Sequence, residues 1–194
     1  MLKSRLAFVL LALLFLPACV AQLPWAPDER LAAARYSSRE PASITLMTVV
    51  ANGSNSAGHA ALLINGSQQV IYDPAGTWYH RDVPERADLL YGITPKMLQY
   101  YIDYHARDRF HVVMQTKQVP REVADNLIAR AIAKGASMSA MCAQNTSALL
   151  AATPGFTGIT ANMWPRKGVE AMSRIPGVTE RRIYQTDEGK DLKT

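Results

Sequence analysis

Apolar and polar positions along the chain divide it into short elements of changing period. Ile44 to Val50 is rich in β-branched residues and predicts a first strand. His59 to Ile64 and Gln69 to Asp73 are two apolar runs flanking Asn65-Gly66, the strongest short hairpin signal in the chain. Both arms are apolar at successive positions, which predicts a hairpin covered on both faces. Pro74 to His80 carries proline and glycine and is expected to be irregular. Thr94-Pro95 opens a helix running to about His105, with threonine as cap and proline in the first helical position. Phe110 to Val119 alternates like a strand. Val123, Leu127, Ile128, Ala131 and Ile132 keep helical spacing within Pro120 to Lys134, and Gly135 closes that helix.

Beyond this point Ser139 is expected to cap a helix from Ala140 to about Ala152, stopped by Pro154-Gly155. Pro165 to Arg174 predicts a short helix, and Val178 to Tyr184 a last strand. Strands come first, then helices and strands at uneven spacing, with no regular β-α-β alternation. That order predicts an α+β fold in which an antiparallel sheet packs against helices. The domain is expected over residues 42–186, after a proline-interrupted tether at 19–41 and before a polar tail at 187–194.

The earliest apolar run has another meaning. Lys3 and Arg5 precede an uninterrupted stretch from Leu6 to Leu16, too short for the roughly 20 residues of a spanning helix. It reads as an export signal over residues 1–18. Leu16-Pro17-Ala18-Cys19 resembles a bacterial lipobox, which makes Cys19 the lipidated mature N-terminus. Val20 in place of an aspartate implies the periplasmic face of the outer membrane by that resemblance. Ordinary cleavage after Ala21 is the rival, and gives a periplasmic or secreted protein. The formal net charge of +5 is a mild excess without an arginine-rich run interleaved with aromatics, so nucleic acid is not expected as a partner.

The leader also changes the cysteine count. The chain has two cysteines, and an exported protein would ordinarily pair them. With Cys19 lipidated or removed, Cys142 has no partner in the mature chain. A lone cysteine is either a small buried hydrophobe or a used thiol. Cys142 falls in the first turn of its predicted helix, where the partial positive charge of the N-terminus favours thiolate. Free N–H groups there also suit a developing oxyanion. His59 heads its apolar run behind a Gly- and Ser-bearing loop, a natural seat for a base. One cysteine and scattered histidines lack the spacing of a metal site, and no cofactor is implied.

Together these strings resemble the circularly permuted, lecithin-retinol-acyltransferase-like branch of the NlpC-like papain-fold superfamily. The resemblance rests on Gly58-His59-Ala60-Ala61-Leu62-Leu63-Ile64-Asn65-Gly66, on Val70-Ile71-Tyr72-Asp73-Pro74-Ala75-Gly76, and on Met141-Cys142-Ala143-Gln144-Asn145-Thr146. It covers residues 44–152, with the histidine preceding the cysteine. It implies a permuted papain-like fold with Cys142 as nucleophile and His59 as base. The implied activity is an exported cysteine hydrolase or acyl-transfer enzyme acting on an amide or ester. Peptidoglycan stem peptides are the first substrate expected and lipid acyl groups the second. A lipoprotein using the same scaffold to bind a cell-wall or protein partner, without catalysis, is the alternative.

The third site residue depends on hairpin register. A two-residue Asn65-Gly66 turn pairs His59 with Tyr72. A three-residue loop from Asn65 to Ser67 pairs it with Asp73, on the same face. Chemistry favours the carboxylate, which stabilises an imidazolium better than a phenol. Trp78 and His80, in the loop past the hairpin, are candidate substrate-binding residues. His105 and His111 fall on ordinary helix and strand positions and are expected to be structural or surface residues.

Overall fold

The computed structural model describes residues 25–189. The leader, Cys19 and the last residues of the polar tail lie outside them. Helix α1 (Asp28–Ala33) precedes the strand β1 (Ser43–Ala51), which is followed by β2 (Ala57–Asn65) and β3 (Gln69–Tyr72). Two short strands, β4 (Glu85–Arg86) and β5 (Leu89–Tyr91), lead into α2 (Pro95–His105) and β6 (Phe110–Gln118). Helices α3 (Arg121–Lys134), α4 (Cys142–Ala151) and α5 (Pro165–Met172) come next, before β7 (Val178–Ile183). The seven strands form one sheet in the order β4-β5-β3-β2-β1-β6-β7, and every pair is antiparallel. The architecture is therefore α+β.

Both faces of the central strands are covered, which explains their continuous apolar runs. Ile44, Leu46, Leu62, Ile64, Val70 and Tyr72 pack with Leu127, Ile128, Leu149, Leu150 and Met172, so α3, α4 and α5 lie on one face. Met47, Ala61, Leu63 and Ile71 pack on the other face with Tyr101 and Ile102 of α2 and with Trp78. Thr94 accepts a hydrogen bond from Met97 N at the start of α2, and Gly135 closes α3 with φ +75°. Both ends are those expected from Thr94-Pro95 and Gly135. Among the described residues no helix is long and apolar enough to cross a membrane.

Three expectations need correction. The described part of the tether, residues 25–41, is fastened to the domain. Ala26 is buried and its N–H donates to Glu85 O, and Gln69 N donates to Tyr36 O. The backbone of this segment thus satisfies groups at the sheet edge and the hairpin, which prolines in its sequence do not prevent.

The hairpin register is neither of the two considered. Asn65 pairs with Gln69 and Leu62 with Tyr72, leaving Gly66, Ser67 and Gln68 as the loop. Asp125 of α3 fixes that loop, accepting from Ser67 N and Ser67 Oγ at 2.6 Å each. A Cβ on Gly66 would meet the same carboxylate and push it from the loop it holds. Continuing this register sets Asp73 opposite Ala61. Asp73 consequently shares a face with His59 but lies diagonal to it, while Tyr72 points to the opposite face.

Helix α4 starts later than expected. Cys142 is its first residue, Met141 occupies the N-cap and no side chain caps it. Ala140 has φ +64°, a left-handed conformation that a helix cannot continue through. Ser139 therefore lies outside the helix.

Candidate functional site

His59 sits near the start of β2, where a bulge interrupts the pairing with β1. Val49 pairs with His59 and Val50 with Ala57, so Gly58 is the extra residue. A bulge bends its strand and re-aims the neighbouring side chains. Here it adjoins the one histidine of β2.

Asp73 follows the last residue of β3. Its Oδ1 lies 2.6 Å from His59 Nε2 and accepts a second hydrogen bond from Tyr101 Oη at 2.8 Å. The carboxylate is 5 % exposed, and two donors compensate that burial. The turn Asp73-Pro74-Ala75-Gly76 presents it, closed by Gly76 N donating to Asp73 O at 3.0 Å. Ala75 adopts φ +56° at the third position of this turn. Gly76 is required for space, because a Cβ there would land on the Asp73 carboxylate. Opposite, the His105 ring stacks on His59 with centroids 5.7 Å apart and planes 6° from parallel. His105 Nδ1 is 2.8 Å from Tyr101 O. Burial holds the His105 pKa down, so the neighbouring ring is kept neutral.

Cys142 enters from α4 into a notch in the sheet. β3 ends opposite Leu62, so the earlier residues of β2 have no strand on that side. The notch is filled by the cysteine, and the His59 side chain and the N–H groups of Ala60 and Ala143 all lie close enough to bear on its thiol. With His59 Nε2 committed to Asp73, Nδ1 is the nitrogen left for the thiol. Cys142 is buried and is the free cysteine among the described residues.

Opposing effects set the protonation of this pair. Burial pushes the Cys142 thiol up, but the hydrogen bond and charge of His59 and the two backbone N–H groups outweigh it, leaving the pKa below its ordinary value. Burial pushes His59 down, yet the Asp73 hydrogen bond and then Cys142 prevail and raise it to about 10. Both directions favour a thiolate beside an imidazolium. The first-turn N–H groups of α4 lack helical carbonyl partners, and one of them, Ala143 N, faces the sulfur itself.

Cys142, His59 and Asp73 are thus brought together, and Tyr72 is not: its Oη is 3.4 Å from Ser137 Oγ on the other face. Trp78 is 6 % exposed and packs in a T-shaped contact with Tyr101, behind the site rather than over it. His80 stacks on Trp78 and Tyr100, a further step away. Neither lines the cleft beside the site, although their neighbours Thr77 and Tyr79 do. The aromatic surface of Trp78 and His80 is used to fix α2. His105, expected to be incidental, stands against His59, and Tyr101 was not singled out at all. The available signal was the i, i+4 pair Tyr101–His105 in an aromatic helix, which names no partner until α2 is packed on the sheet.

A cleft of about 590 Å³ runs between the segment after Asp73 (Ala75, Gly76, Thr77) and the segment before Cys142 (Ser137, Ser139). Asp88 joins the two walls. Its backbone O accepts from Asp73 N and its Oδ2 from Ser137 N, each at 2.8 Å. No protein-family model, curated protein or solved structure matches the chain.

Proposed function

We propose that this chain is an exported cysteine hydrolase or acyl-transfer enzyme of the permuted, NlpC-like papain class. It would act on an amide or ester, with a peptidoglycan stem peptide as the first candidate and a lipid acyl group as the second. The observation that supports this most is the line from the Cys142 thiol, beside His59, to the Asp73 carboxylate hydrogen-bonded to that histidine. A structural cysteine needs no imidazole, and a structural histidine needs no buried carboxylate whose second donor is a tyrosine.

In this reading the Cys142 thiolate attacks the carbonyl carbon, and the oxyanion forms against first-turn N–H groups of α4. His59 Nδ1 gives its proton to the leaving nitrogen or oxygen, while Asp73 holds the ring and balances its charge. Water then attacks the thioester, passing a proton to His59, and the thiolate leaves. An acyl acceptor in place of water turns the same steps into transfer. Lipid anchoring through Cys19 at the outer membrane, or release after Ala21, belongs to the same proposal.

Intact-mass spectrometry after incubation with muropeptides and with acyl esters tests the activity. An acyl adduct mapped to Cys142, absent in Cys142→Ser, is the expected result. Turnover that survives Cys142→Ala would contradict the mechanism. Binding of wall fragments without adduct or turnover would favour the non-catalytic scaffold.

A further inference from the structure

The cleft beside the site has a chemistry of its own. Its walls carry the carboxylates of Glu85 and Asp88, and exposed Trp25 and Tyr79 also line it. Glu85 belongs to β4, and Asp88 to the tight turn into β5, where Ala87 and Asp88 have φ +53° and +61°. Both acids line the same cleft. The charged side chains lining the cleft are these two acids and Arg30, and Arg30 is an exposed residue whose guanidinium is tied to Arg81 O. Asp73 lies close enough to bear on both acids. The local balance is negative in a chain whose overall charge is positive.

Resting on the cysteine-enzyme reading, we infer that this cleft selects substrates carrying a primary ammonium group, held by Glu85 and Asp88 and faced by Trp25 or Tyr79. Two carboxylates with aromatic faces suit an organic cation, because the ring quadrupole and the acids attract the same charge. They suit a metal less, since calcium takes six to eight oxygen ligands, and among the described residues no group of three or more metal-binding side chains occurs. Burial and then mutual repulsion raise the Glu85 pKa, and burial does the same for Asp88, so an incoming cation relieves a cost already present in the free protein. Two further cavities are poorer candidates. One, of about 10 Å³, is too small, and the other, of about 240 Å³, sets Arg166 and Arg182 against Glu170 and Glu180.

N-acetyl-lysyl and N-acetyl-norleucyl chloromethyl ketones test the inference, since both alkylate a thiolate with loss of chloride and differ in the ammonium. Wild-type protein should be alkylated at Cys142 about tenfold faster by the lysyl reagent, and Glu85→Gln should bring the two rates within about twofold. Taking the ratio within each protein removes any change in the thiol itself. Iodoacetamide on wild type separates the two claims: rapid alkylation with no lysyl preference overturns the ammonium subsite and leaves the nucleophile standing. A lysyl preference that persists in Glu85→Gln also overturns it. If iodoacetamide finds Cys142 inert, binding decides the question in Cys142→Ala protein, followed by nuclear magnetic resonance. Shifts in the cleft from N-acetyl-lysine amide, but not N-acetyl-glutamine amide, that vanish in Glu85→Gln support the subsite. Absence of lysine-specific shifts, or displacement of the lysine ligand by stoichiometric Ca²⁺, overturns it.

Discussion

Asp73 Oδ1 lies 2.6 Å from His59 Nε2 although the two residues are not cross-strand partners. The contact is diagonal, at a separation a side chain can span when both residues share a face. Tyr101 donates to the same oxygen, so the carboxylate joins the hairpin, α2 and the histidine. Asp73→Asn should weaken the hold on the imidazolium, lowering the His59 pKa and raising that of Cys142. Alkylation of Cys142 at neutral pH should slow by about tenfold, the worth of a lost charge-assisted bond. Tyr101→Phe, which leaves the charge in place, should cost less than Asp73→Asn in the same assay.

Gly76→Ala is expected to damage the site from outside it. Its new Cβ would meet the Asp73 carboxylate, and the turn has little freedom with Pro74 on one side and Ala75 at φ +56°. Overpacking of this kind costs about 1–3 kcal/mol. Thermal unfolding should show the loss, and the Cys142 pKa should move toward its ordinary value because Asp73 is displaced.

Stability should depend on pH through His59. Its pKa is about 10 when folded against an ordinary 6.5, so the folded protein holds a proton that the unfolded chain releases between those values. The stabilisation is complete below about pH 6.5 and is lost as pH rises through about 10. Cys142 acts in the other sense, its contribution fading as pH falls through its lowered pKa. Urea unfolding of wild type and His59→Ala at rising pH should show the wild-type advantage shrinking above about pH 8.5, the ordinary thiol value, where Cys142 no longer offsets the loss. An advantage that grows with pH would contradict the raised value.

The proposed lipid anchor makes a separate prediction. Cys19→Ser should abolish labelling by a radioactive fatty acid and release the protein from the membrane fraction. Wild type without lipid would leave cleavage after Ala21 as the reading of residues 1–21.

Much of the sheet was legible because β1, β2, β3 and β6 are buried on both faces and carry continuous β-rich runs. The cap of α2 and the end of α3 were legible because Thr94, Pro95 and Gly135 act locally. What failed was set by contacts remote in sequence. Asp125 holds the hairpin loop one residue beyond the expected position, and no local pattern announces it. The left-handed Ala140 delayed α4, since alanine is a poor signal for that conformation. β4, which carries Glu85, and β5 were too short for any period, and Asp88 lies in the turn between them. Cys142, His59 and Asp73 emerged from residue type and order, whereas Tyr101 and His105 depended on the docking of α2.

Alkylation of Cys142 by iodoacetamide across pH, in wild type and His59→Ala, tests the central claim most directly. The account predicts a wild-type rate rising with an apparent pKa well below the ordinary thiol value of about 8.5, and a return toward that value in His59→Ala. A wild-type thiol that titrates at the ordinary value and ignores the loss of His59 would contradict it.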